Sequence, residues 1–133
     1  MNNPNGLSMI RTGTYLGECF IHCNETLTIT PDKTFYTLTS TVKDPQYPDI
    51  KVERETARKD WGELQWLINW DKFRMLPSSI GQPDSSDQGG EWVEITIGGE
   101  VKRVDFEMNA SVPEIDALIQ KLREMRNSIS PSK

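Results

Sequence analysis

The chain of 133 residues holds one histidine and two cysteines. A Ser-His-Asp or Cys-His nucleophile would have to use His22, and no Gly-x-Ser-x-Gly elbow is present to expose a serine. His22 lies beside Cys19 and Cys23 simply because the chain puts it there, so that proximity carries little information. The three offer zinc ligands, with Glu18 as a fourth, but structural zinc sites draw on separated ligand pairs and this spacing matches no standard knuckle. The preferred reading is a small cysteine pair beside a surface histidine, with no metal and no cofactor. Two cysteines cannot form a multi-bridge framework. In one straight strand their Cα atoms would stand roughly 13 Å apart, beyond disulfide reach. They pair only if the chain turns between them, and the expectation is two free thiols in a reducing compartment.

Basic charge is also short. Asp and Glu outnumber Lys and Arg by 20 to 15, for a net charge of −5. Phosphate binding needs clustered positive charge, so a nucleic-acid groove is excluded. The balance suits a basic partner instead. No apolar run approaches membrane-spanning length, and Met1 to Gly6 has neither a basic n-region nor an apolar h-region. The chain therefore reads as cytoplasmic, with no membrane partner. No Gly-rich phosphate loop is present: Gly89-Gly90 and Gly98-Gly99 lack the strand-to-helix setting.

What is present is a clear alternation of strand and helix patterns. Residues 1–8 read as a disordered lead, 9–127 as a single domain, and 128–133 as a disordered tail. Met9 to Leu16 reads as a strand interrupted by Gly13. Leu27-Thr28-Ile29-Thr30, the turn Pro31-Asp32-Lys33 and Thr34 to Leu38 make a hairpin. Ile50 to Arg54 reads as a short edge strand. Trp61, Leu64, Leu67 and Ile68 form one helical stripe, with Thr56 and Asp60 as competing caps, and Asn69 to Leu76 reads as a short helix stopped by Pro77. Ser78 to Gly90 reads as a polar loop. Val93, Ile95 and Ile97 line one face of the next strand, Gly98-Gly99 turns it, and Val104, Phe106 and Met108 return. Ser111 with Glu114 fits a capping box ahead of the stripe Ile115, Leu118, Ile119, Leu122 and Met125. The pattern predicts an α+β fold: an antiparallel sheet of about four to five strands with two main helices packed on one face.

Two features bear on binding. The loop from Asp84 to Gly89 matches early positions of a calcium loop, but Ile95 stands where a bidentate Glu is needed, so it is no EF-hand. Asp84, Asp87 and Glu91 remain candidates for a weak cation, against the plainer reading of a solvated acidic loop. Four tryptophans is high for this length. Trp66 lies off the apolar helix stripe and Trp92 lies on the polar face of its strand. Each reads equally as a contact residue or as cover for the second sheet face.

The order of parts resembles the emfourin-like family, small bacterial proteins that inhibit thermolysin-like metallopeptidases. Arg11-Thr12-Gly13-Thr14-Tyr15-Leu16-Gly17 is similar to the family's opening Arg-x-Gly-Gly-aromatic segment, with Thr14 in place of the second Gly. Trp61 through Phe73 to Leu76-Pro77 resembles its helix ending in Phe-x-x-Leu-Pro. Pro83-Asp84 stands where the family has Pro-Asp, and Val104-Asp105-Phe106 followed by Pro113, Leu118, Ile119 and Leu122 resembles its last strand and closing helix. The segment Cys19 to Asp49 is longer than the family's first hairpin, and Ser85 to Glu91 is an insertion before the aromatic strand. Both departures lie where a contact surface could be, and no inhibitory residue is transferred.

These readings converge on a non-enzymatic binding protein, monomeric or a weak dimer, with no catalytic residues. The resemblance names a thermolysin-like metallopeptidase as its partner. The candidate binding residues are Trp66, Asp84, Asp87, Glu91 and Trp92. The alternatives are a domain binding a cation or small polar ligand at loop 84–91, and an immunity-type protein against a basic toxin.

Overall fold

A computed structural model describes residues 6–17, 19–83 and 89–131. Four antiparallel strands come first: β1 (Leu7–Tyr15), β2 (Asn24–Ile29), β3 (Lys33–Thr39) and β4 (Ile50–Glu55). Helices α1 (Arg58–Leu67) and α2 (Trp70–Met75) follow, then the two-residue strand β5 (Ser79–Ile80), the hairpin β6 (Gly90–Ile97) and β7 (Glu100–Glu107), and α3 (Asp116–Ile129). The strands form one sheet in the order β4-β3-β2-β1-β6-β7-β5. The expected four to five strands become seven and the two main helices three. The pattern missed β5 because two residues in a polar loop carry no periodicity, and its pairing to β7 is the single parallel one among the described strands.

Residues directly opposite one another share a sheet face, so the register reads as rows. One row runs Val52, Tyr36, Leu27, Thr12, Val93, Val104. A second runs Thr34, Ile29, Ile10, Ile95. These rows meet Leu64, Ile68 and Phe73 of the first two helices and Leu118, Ile119 and Leu122 of α3 in one core. The stripes expected on both helices are the ones that pack. The ordered chain also reaches further than expected at each end: Leu7 belongs to β1 and the core, and Ile129 and Ser130 are buried.

The helix starts differ from expectation. Thr56 does not cap α1; its hydroxyl donates to Thr30 O at 2.8 Å and lies 2.8 Å from Thr34 Oγ1. Asp60 pairs with Lys121 at 2.8 Å, tying α1 to α3. Ahead of α3, Asp116 accepts from Val112 N and Ser111 Oγ, so Ser111 and Glu114 form no capping box. No described helix is long and apolar enough to cross a membrane.

Candidate functional site

A third row of the helix-covered face runs Ile50, Leu38, Glu25, Thr14, Glu91, Phe106. It is apolar at its ends and polar in its middle, and α3 lays two arginines over that middle. Arg123 clasps Glu91 with Nε at 3.0 Å and Nη2 at 2.8 Å. Arg126 reaches Glu91 with Nη2 at 2.7 Å and Thr12 Oγ1 with Nη1 at 2.8 Å. Tyr36 donates to Glu25 at 2.6 Å. Burial alone would push the Glu91 carboxyl up, but the hydrogen bonds and charges of the two arginines outweigh it and hold it below the usual carboxylate range. Burial, then the hydrogen bond to Glu25, pushes the Tyr36 phenol up to about 12.

Glu91 is therefore 1% exposed with both carboxylate oxygens engaged, and it does not offer itself as a cation ligand on the loop. Its sequence neighbour Trp92 is also covered, which is the second of its two readings, cover for the second sheet face. It is 6% exposed although it lies on the helix-free face. Arg11 and Arg103 stack on its ring at 5.4 and 4.2 Å, and a Cβ at Gly13 would come within 2.8 Å of it. The glycine read as an interruption of β1 is the seat for this indole. Of the remaining candidates, Trp66 is 61% exposed on α1, and Asp84 and Asp87 lie outside the described residues. Among the described residues, Trp66 stands on α1 while Glu91 and Trp92 face opposite sides of β6, so these three are not brought together.

The structure brings together another set. The β1–β2 and β3–β4 loops lie side by side at one end of the sheet. Cys19 and Cys23 are joined by a disulfide with Cα atoms 5.7 Å apart, which corrects the expectation of free thiols. The chain turns sharply between them, with His22 at φ +51°. Cys23 N donates to Thr39 O at 2.8 Å, His22 N to Ser40 Oγ at 2.8 Å, and Val42 N to Phe20 O at 3.1 Å. His22 Nε2 lies 3.1 Å from Pro48 O, with the ring edge-to-face against Tyr47. These links hold four apolar side chains in water: Phe20 at 69% exposure, Val42 at 49%, Leu16 at 48% and Tyr47 at 47%. Scattered exposed apolar residues are ordinary; these four stand on two loops joined to each other by hydrogen bonds, one of them cross-linked. The sequence reading pointed to the segment Cys19 to Asp49 as a place for a contact surface but missed the cross-link that braces it, because the spacing of Cys19 and Cys23 was judged on a straight strand.

Behind the loops opens a cleft of about 490 Å³. Leu16, Leu38 and Met108 form apolar wall, while Glu25, Arg123 and Arg126 form polar wall. It joins the buried ion pairs to the exposed loop pair. Among the described residues, no group of three or more His, Cys, Asp or Glu side chains is placed to hold a metal ion. Compared with models of protein families and with curated proteins, the sequence matches none.

Proposed function

We propose that this chain is a binding protein, and that the disulfide-braced loop pair is the face it presents to a protein partner. The observation that carries this reading is the set Leu16, Phe20, Val42 and Tyr47, exposed together on two loops fixed by a cross-link and by hydrogen bonds. Interfaces favour aromatic anchors at their centre, and an anchor held in place before contact costs less ordering on binding. The resemblance to emfourin-like proteins makes a thermolysin-like metallopeptidase the partner to test first, with inhibition as the activity. The longer first hairpin, Cys19 to Asp49, then supplies the contact surface.

The test is a titration of this protein against such a peptidase, following residual activity. Loss of activity near one-to-one stoichiometry is expected. Phe20→Asp and Val42→Asp should each raise the concentration needed by about tenfold or more. Unchanged peptidase activity with the wild-type chain in excess overturns the inhibitor reading. Inhibition that both variants retain in full overturns the assignment of the surface.

A further inference from the structure

Strand β4 ends the sheet, and no described strand pairs along its outer edge. The opposite end of the sheet is the two-residue β5, so β4, with six residues, is the long open edge. The β2–β3 turn fixes which of its backbone groups face outward. Thr30 N donates to Lys33 O, so Lys33, Phe35 and Thr37 turn their N–H and C=O groups toward β2, and Thr34, Tyr36 and Leu38 turn theirs toward β4. Those three stand opposite Arg54, Val52 and Ile50, which therefore bond to β3. The same alternation continues one step on, where Thr56 N donates to Asp32 O. Lys51, Glu53 and Glu55 are exposed and direct their N–H and C=O groups outward.

We propose that this edge pairs with β4 of a second copy of the chain, antiparallel, about a two-fold axis at Val52. A two-fold axis sets each residue against the one at the same distance on its other side. Placed at Lys51, Glu53, Arg54 or Glu55, the axis would set that charge directly against its own copy, which is destabilising. Placed at Ile50, it would leave the second half of β4 unpaired. At Val52 it sets valine against valine, beside the core that Val52 already packs on, and it sets Lys51 against Glu53 of the second copy on both sides. Charge on an edge strand keeps foreign strands away; here the change of sign across an apolar centre favours this chain's own copy. Glu53 gives up no buried partner, since it holds only a 3.7 Å surface contact with Lys33. At the end of the ladder Asp49 meets Glu55 of the second copy, and Lys43, 3.1 Å from Asp49, offsets that meeting. Residues 51 and 53 exchange main-chain hydrogen bonds across the junction, and the two sheets continue into one. Because the paired strands run in opposite directions, the loop pairs of the two copies stand at opposite ends of the dimer.

The experiment is sedimentation equilibrium of the full chain from about 10 μM to about 1 mM, because so small an interface binds weakly. A reversible rise in mass from 15.2 kDa toward twice that value is expected. Lys51→Glu and Glu53→Lys each set like charges across both pairs and should each weaken the dimer about tenfold or more. Both positions are exposed, so the thermal midpoints should stay at the wild-type value. An equimolar mixture of the two variants should dimerise again, since one copy then brings only negative charge to the pairs and the other only positive. A monomer at every concentration, a dimer that either variant leaves intact, or no recovery in the mixture overturns the proposal. A dimer built through the loop pair would ignore both charge changes and be lost in Phe20→Asp, which also overturns it. No peptidase is present, so this result and the inhibition titration fail independently.

Discussion

At Glu91 the sheet carries a full negative charge at 1% exposure, and Arg123 and Arg126 make that tolerable. A buried carboxylate stripped of such partners would neutralise itself. Because its folded value lies below the ordinary one, it stabilises the fold above its unfolded value, about 4.3. That contribution is lost as pH falls through the folded value. Urea unfolding of the wild type should therefore show stability level from neutral pH to about pH 5 and declining below about pH 4. Glu91→Gln leaves the buried Arg126 and the partly buried Arg123 short of charge and should cost roughly 3–5 kcal/mol at neutral pH. It should also flatten the acid decline; a variant with wild-type stability at neutral pH would contradict the account. The alternation Val93-Ile95-Ile97 already placed Glu91 on the core side of its strand, because residues two apart share a face. Its partners were not legible, since they lie on α3, 32 and 35 residues away. Trp92 hid for a related reason: its cover comes from Gly13, Arg11 and Arg103 on neighbouring strands, and only the register of the sheet joins them.

Elements with a strong period were legible in the sequence. The stripe Ile115, Leu118, Ile119, Leu122 marked α3, and Leu118 is 1% exposed beneath it. Leu118→Ala should cost roughly 2–5 kcal/mol in a denaturant titration; a shift well below that would remove Leu118 from the core. The hairpins were legible from their turns, with Thr30 N donating to Lys33 O and Gly98-Gly99 at positive φ. Caps were not, because a Thr or Ser near a helix start has several acceptors within reach and tertiary partners took them. The loop between β1 and β2 was misjudged because spacing was measured along an extended chain, whereas His22 reverses it. Reducing this cross-link should cost about 2 kcal/mol or less of stability, as expected for so short a closed loop. The sheet should remain, since its ladder bonds lie elsewhere. Amide exchange in residues 16–23 should quicken while β1 and β6 stay protected. Global unfolding on reduction would contradict a purely local role.

Across the whole molecule the two faces of the sheet differ. One is closed by helices; the other shows Thr26, Thr28, Arg11, Glu94, Arg103 and Asp105, a surface of threonines and paired charges. Of the exposed large apolar side chains, Leu16, Phe20, Val42 and Tyr47 stand at the loop end, with the cleft beside them, while Phe35 and Val101 stand on the helix-free face and Trp66 and Met75 on α1 and α2. The sheet and helix layers were legible from local pattern. The segment Cys19 to Asp49 was legible as a place for a contact surface, but the bracing of its two loops was not, because it arises only where they come into register across β2 and β3. Phe20→Asp isolates that surface: at 69% exposure its stability should stay within about 0.5 kcal/mol of the wild type while partner binding falls. The most direct measurement is amide hydrogen exchange of the chain with and without a thermolysin-like peptidase. Slowed exchange in residues 16–23 and 40–49, with the polar sheet face unchanged, is the predicted result. Unchanged exchange in both loops, or protection confined to the polar face, would contradict it.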